Sequence, residues 1–185
     1  MSQQIMDKDA QARTAKADVT LSRIIVMGVS GCGKSTVGEL LGTRISADFL
    51  DGDSLHPQAN IDKMAAGEPL DDQDREPWLR EIGNRLGSAG NESMIIACSA
   101  LKRKYRDLIR AQAPGTVFIH LHGSEELLTQ RMRSRPGHFM PVGLLQSQLA
   151  TLEPLERDEH GIMLNIEQSP AALVQDAAAW LETSD

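Results

Sequence analysis

The run Gly28-Val29-Ser30-Gly31-Cys32-Gly33-Lys34-Ser35 fits the pattern G-x-x-x-x-G-K-[ST] at every fixed position, and Thr36 follows it. Glycines there let backbone N–H groups converge on phosphate oxygens, and a helix opening at the end of the run adds positive potential. Lys34 reaches the β- and γ-phosphates and Ser35 offers a hydroxyl to Mg²⁺. The chemistry implied is ATP binding by residues 28–36, with Mg²⁺ as companion ion. Cys32 occupies a free position of the loop, where a small residue is enough. A second group lies downstream in Phe49-Leu50-Asp51-Gly52-Asp53. Two residues apart on an extended segment, the carboxylates of Asp51 and Asp53 share one side. Beside a phosphate loop, one can hold Mg²⁺ or its water, while the other orients an acceptor hydroxyl or takes its proton.

Such groups need a rigid sheet edge, and the pattern supplies one. Short apolar runs at Arg23–Val29, Ala47–Leu50, Met94–Cys98, Thr116–His122 and Ile162–Ile166 alternate with helix-compatible stretches at Lys34–Ile45, Asp74–Leu86, Leu101–Ala111 and Glu125–Arg133. Alternation of this kind predicts an α/β fold with a parallel sheet and right-handed crossovers. A last helix is signalled by Ser169 as cap, Pro170 in the first turn, and Leu173, Ala177, Trp180 and Leu181 on one face. The phosphate loop follows the first strand, and Asp51 and Asp53 end the second, both at the carboxyl edge where open α/β sheets bind ligands.

Composition removes other classes. With 185 residues, one domain is expected at 23–185, behind a flexible tail at 1–22. A net charge of −7 and an aromatic content of 3% do not suit a nucleic-acid binder. No apolar run approaches a membrane span, and the tail lacks the apolar core of a secretory signal. Two cysteines, Cys32 and Cys98, make no disulfide framework, which points to the cytoplasm. The third strand ends in Cys98-Ser99, where many phosphate-loop enzymes keep an acidic residue; the metal burden then shifts to Ser35, Asp51 and water. His120 and His122 alternate on the fourth strand but lack a third ligand, so no metal pair is assigned to them.

Three longer segments narrow the reading: DGDSLHPQANIDKMAAGEPLDDQDREPWL, CSALKRKYRDLIR and RPGHFMPVGLLQSQLATLE. Together with the phosphate loop they closely resemble gluconokinase, from about Arg23 to Trp180. The resemblance implies a P-loop NTPase three-layer α/β/α fold with a five-stranded parallel sheet. An acceptor-binding helical segment at about 51–80 and a mobile lid at about 131–142 complete it, as in shikimate and nucleoside monophosphate kinases. It implies transfer of the ATP γ-phosphate to the C6 hydroxyl of D-gluconate, giving 6-phospho-D-gluconate for carbohydrate-acid catabolism and the pentose phosphate pathway, and it suggests a homodimer. Asp53 matches the shikimate-kinase position tied to acceptor binding and base action, and Asp51 the one near the metal's water shell.

Gluconate is an anionic polyol, so its pocket calls for a cation and several hydrogen-bonding groups. Arg75 is the first candidate for the carboxylate, with His56, Lys102 and Arg106 as further contacts; Trp78 is expected to pack the acceptor segment. In the lid, Arg131 and Arg135 are expected to act with Lys34 and Asp53 in catalysis, stabilising γ-phosphate and transition-state charge, and His138 to contact substrate. Asn165–Pro170 lies where related kinases hold adenine. Two other functions compete: another small-metabolite kinase of the shikimate type, and a non-catalytic ATP-dependent metabolite sensor. DGDSLHPQANIDKM speaks against the first, and the acceptor carboxylates with an arginine-bearing lid against the second. Charge is divided along the chain: residues 48–81 hold ten acids and three bases, residues 102–135 eight bases and three acids. The local field over the phosphate-facing half is thus positive despite the total.

Overall fold

A computed structural model of the chain describes residues 22–134 and 142–184. The tail expected at 1–22 lies outside them except for Ser22, as do Arg135 and His138 of the lid. Five strands, β1 (Arg23–Met27), β2 (Asp48–Asp51), β3 (Met94–Ala97), β4 (Val117–His122) and β5 (Gly161–Asn165), form one sheet in the order β2-β3-β1-β4-β5. Every neighbouring pair is parallel. Strands this apolar are what a sheet covered on both faces requires. Ile24, Ile25, Val26, Met27, Ile95, Ile96, Phe118 and Leu121 are fully buried.

The helices are α1 (Lys34–Ile45), α2 (Gln58–Ala65), α3 (Asp72–Gly87), α4 (Arg103–Gln112), α5 (Glu125–Arg133), α6 (Val142–Thr151) and α7 (Pro170–Thr183). Helices α1 and α5 coincide with the expected stretches. α3 begins two residues earlier than expected because Asp71 and Asp74 form a reciprocal capping box, each side chain accepting from the other's backbone N–H at 2.8 and 2.9 Å. α4 begins two residues later, since Ala100 takes a left-handed conformation (φ 44°) that no helix continues through. Ser169 caps α7 as expected, its Oγ accepting from the Ala172 N–H at 3.2 Å. Two helices, α2 and α6, and a 3₁₀ turn at Gly52–Leu55 fall in stretches to which the sequence pattern assigned no individual element. Among the described residues no helix is long and apolar enough to cross a membrane.

Because β1 lies between β3 and β4, the chain leaves it in one direction for β2 and later returns to its other side. This reversal opens the crevice at which doubly wound sheets hold ligands. The phosphate loop, Asp51, Ser99 and the loop after β5 all stand at that edge.

Candidate active site

The phosphate loop leaves β1 through Gly28 at φ 141°, and a Cβ there would lie 2.5 Å from the Leu121 carbonyl oxygen. Only glycine fits this approach, which sets the loop directly over the sheet. Gly33, at φ 95° and ψ 22°, turns the chain into α1, whose first residues are Lys34, Ser35 and Thr36. Lys34 Nζ donates to the Val29 carbonyl at 3.1 Å, inside its own loop. Ser35 Oγ donates to Asp51 Oδ2 at 2.7 Å, joining the loop to the end of β2. The other oxygen of Asp51 accepts from the Asp53 N–H at 3.0 Å and caps the 3₁₀ turn. That turn carries Asp53 out over the crevice, with its side chain 78% exposed.

A cavity lies between this turn, the phosphate loop, α3 and α6. Ser30, Lys34, Asp53, His56, Glu68, Arg75 and Ser99 contribute to its polar wall, and Met64, Leu70, Trp78 and Leu144 to its apolar one. Trp78 is buried and donates its indole N–H to the Gly52 carbonyl at 2.7 Å, bracing the turn that bears Asp53. His56 stacks on Trp78 with centroids 3.9 Å apart, and its Nε2 lies 3.8 Å from Asp53 Oδ1. Burial holds the His56 pKa below the usual histidine value, against the opposing charge of Asp53.

Arg75 enters the cavity from α3 and is aimed by Tyr105 of α4. Its guanidinium lies 5.5 Å from the Tyr105 ring centroid, and Nη1 donates to the Tyr105 oxygen at 3.2 Å. That phenol in turn donates to Asp72 Oδ1 at 2.5 Å. Asp72 also accepts from Lys104 and, at 3.2 Å, from Lys102. Hydrogen bonds from Lys104 and then Tyr105 keep its carboxyl well below the usual carboxylate range. Half-buried and held by the Tyr105 oxygen, which is itself anchored on Asp72, the Arg75 fork is pre-organised for a planar anion.

Several expected site residues are placed differently. Arg106 is a correction: it is completely buried in α4, and its guanidinium forms a fork with Glu159 at 2.7 and 2.6 Å while also donating to the carbonyls of Ala100, Glu153 and Pro154. Every direction it could donate in is used, so no substrate reaches it. Lys102 pairs with Asp72 at 3.2 Å and lies 5.6 Å from the Tyr105 centroid, so it joins the network that holds Tyr105. Arg131 donates to the Ile166 carbonyl at 2.6 Å, so in this arrangement it holds the loop after β5 rather than the phosphate loop. Cys98 is sealed in the core, and burial pushes its thiol up to about 12, consistent with a packing role. His120 is also sealed, with burial first and His122 second pulling its pKa down to about 4; the two rings meet edge-on at 6.0 Å.

The sequence reading missed the contribution of α6. Gln148 Oε1 accepts from the Ser30 N–H at 2.7 Å, and Leu144, Ser147 and Gln148 all line the cavity. It also missed Asn60 and Ser99. Glutamine and serine in a polar stretch carry no pattern of their own; the signal that could have found Gln148 is its i+4 spacing from Leu144 on a helix beginning just past the lid.

Hard oxygen donors at Ser35 and Asp51, already within hydrogen-bond distance of each other, fit a hydrated Mg²⁺ that takes its other ligands from phosphate and water. No cluster of three His, Cys, Asp or Glu able to hold a metal occurs among the described residues.

Comparison with known proteins gives consistent results. A family model described as shikimate kinase matches residues 30–176. The thermosensitive gluconokinase of Escherichia coli K12 is 48% identical over 141 residues, covering 75% of each chain. A gluconokinase of Gluconobacter oxydans is 42% identical, covering 88% of this chain and 92% of its own. Among solved structures, a gluconokinase from Sinorhizobium meliloti superposes with a TM-score of 0.82 at 49% identity over 88% of this chain and 92% of that one. Shikimate kinase from Acinetobacter baumannii, at 22% identity and a TM-score of 0.62 over 92% and 98%, shares the fold.

Proposed function

The chain belongs to the gluconokinase family within the shikimate-kinase group, and from that premise we propose how its residues divide the phosphorylation of D-gluconate by ATP. The acceptor hydroxyl is the one at C6, giving 6-phospho-D-gluconate and ADP. The observation that carries the assignment is the convergence of Asp53, Arg75 and Lys34 on one cavity. A carboxylate that can orient and deprotonate a hydroxyl, a cation for a sugar-acid carboxylate and a phosphate-loop lysine are the three groups this transfer needs.

Residues 28–36 hold the triphosphate through backbone N–H groups and Lys34. Ser35 and Asp51 would hold Mg²⁺, which would supply neutralisation of phosphate charge. Arg75 takes the gluconate carboxylate, which sets the far end of the six-carbon chain and leaves C6 toward Asp53. His56 and Gln148 offer polar contacts along the chain. Arg135 and His138, with Arg131 released from the Ile166 carbonyl, are proposed to bring positive charge over the transferring group as the lid segment closes.

A coupled ADP-release assay across gluconate, other sugar acids, shikimate and nucleoside monophosphates tests the reading. Turnover is expected with gluconate; its absence there, or turnover independent of added acid, overturns the assignment. Arg75→Ala is expected to raise the KM for gluconate by about 10- to 100-fold, the range of a lost charge-assisted hydrogen bond, with the KM for ATP unmoved. Arg75→Lys should recover only part of it, since an ammonium cannot reproduce the bidentate fork. An unchanged gluconate KM in the alanine variant would remove Arg75 from the carboxylate site.

A further inference from the structure

Asp53, His56 and Glu68 all line the acceptor cavity. Between Asp53 and His56, which lie 3.8 Å apart, the hydrogen bonds behind His56 decide which can accept the proton of the attacking hydroxyl. Asn60 of α2 is buried at 3% exposure. Its Nδ2 donates to the Asp74 carbonyl at 2.8 Å, and the same nitrogen lies 3.3 Å from His56 Nδ1. Reversing the amide would set two oxygen acceptors 2.8 Å apart, so the Asp74 carbonyl fixes which end of Asn60 faces the ring. An N–H group therefore meets Nδ1, and Nδ1 must be the unprotonated, accepting nitrogen. In the neutral ring the proton then resides on Nε2, the nitrogen that faces Asp53. Stacking on Trp78, itself tied to Gly52, opposes a flip about Cβ–Cγ, which would put Cδ2 and Cε1 where Nδ1 and Nε2 stand.

We propose that Asn60 is a positioning residue that fixes His56 as the neutral Nε2–H tautomer, making the ring an obligate donor beside Asp53 and leaving Asp53, of the two, as the acceptor for the hydroxyl proton. This rests on the gluconokinase reading and deepens it. A ring with Nε2 protonated has no lone pair directed into the cavity, so it cannot compete as base. At 3.8 Å from Asp53 Oδ1, its N–H is placed to donate to a substrate oxygen lying between the two side chains. An imidazolium is opposed as well, because Nδ1–H would face the Asn60 N–H. The charged groups around the ring are Asp53 from the 3₁₀ turn, which favours protonation, and Arg75 from α3, which disfavours it.

The test is a long-range ¹H–¹⁵N spectrum of the full chain labelled at histidine, near neutral pH and without substrate, with His56 assigned by its loss in His56→Gln. The expected signature is an unprotonated Nδ1 and a protonated Nε2. An Nδ1–H tautomer, an imidazolium or an averaged pair overturns the inference. In Asn60→Leu, which removes the N–H facing Nδ1 without setting an oxygen against the Asp74 carbonyl, the preference for Nε2–H is expected to be lost and the two nitrogens to give an averaged pair. The kcat should then fall by about 10- to 100-fold, as for other outer partners that orient a reacting group, with the KM for ATP unmoved. His56→Gln, which keeps an N–H donor but cannot take a proton, should cost less than about tenfold in kcat, whereas loss of a general base costs about 10²- to 10⁴-fold. A loss in that larger range would make His56 the base and defeat the proposal. The spectrum is read without turnover. An Nε2–H tautomer in a protein inactive on gluconate would therefore overturn the substrate assignment and leave the tautomer standing.

Discussion

Asp53→Asn is expected to lower kcat by about 10²- to 10⁴-fold while leaving ATP binding nearly unchanged. The substitution keeps the size of the side chain and removes only its ability to accept a proton and its charge. Among the described residues the Asp53 side chain makes no hydrogen bond or ion pair with the phosphate loop; its backbone N–H bonds Asp51 Oδ1 at 3.0 Å, and its carboxylate is 78% exposed over the cavity. The fold of the 3₁₀ turn should survive, since that turn is held by Asp51, by the Trp78 indole and by the Ser54 hydroxyl donating to the Asp51 carbonyl at 2.7 Å. The effect therefore falls on the transition state rather than on nucleotide affinity, and appears equally in kcat and kcat/KM. Phosphoryl transfer is loose, with little bond formation to the acceptor when the barrier is crossed, so positioning can outweigh proton removal. Steady-state kinetics separates the two. A near-normal kcat with a raised gluconate KM would make Asp53 an orienting group; near-normal values of both would remove it from the mechanism.

The phosphate loop and the strand order around it were legible because their physics is local. Gly28, Gly33, Lys34 and Ser35 carry their own reason for being where they are, and five apolar runs alternating with helices leave few topologies open. The acceptor side was only half legible. Asp53 and Arg75 could be picked out as chemistry that an anionic polyol needs, but nothing in the sequence says which of several arginines points inward. Arg75 and Arg106 look alike in a basic or polar stretch; one lies over Tyr105 facing a cavity, the other is sealed against Glu159, 53 residues away. That difference comes from long-range packing of α4 on the 153–159 loop, which no spacing rule encodes. Asn60 and Gln148 were missed for the same reason, since their roles exist only through partners 14 and 118 residues distant.

The displaced role of Arg106 leads to the largest expected change in stability. Arg106→Met should destabilise the fold by about 3–5 kcal/mol, the range for stripping one partner from a buried ion pair. Both side chains of the Arg106–Glu159 pair have zero exposure. The Arg106 guanidinium also ties down the left-handed Ala100 turn, next to Ser99 in the cavity wall, through its bond to the Ala100 carbonyl at 3.1 Å. Glu159 would keep Arg110 at 3.0 Å and the Glu156 N–H at 3.0 Å, which places the loss toward the lower end of the range. Removing both charges, in Arg106→Met with Glu159→Leu, should recover part of it, because no carboxylate is then left buried without its main partner. The wild-type pair also sets an acid limit. Burial pushes the Glu159 carboxyl up, but the Arg106 hydrogen bonds and the Glu156 N–H outweigh it and hold it at about 2, below the ordinary value near 4.5. A depressed folded-state pKa contributes stability that is complete above the unfolded value and is lost as pH falls from about 4.5 toward 2. Urea unfolding at successive pH values should show this slope in the wild type and a weaker one in the double variant. Equal slopes would show that acid sensitivity arises elsewhere, and an Arg106→Met protein as stable as the wild type would mean that the guanidinium is not what holds α4 to the 153–159 loop.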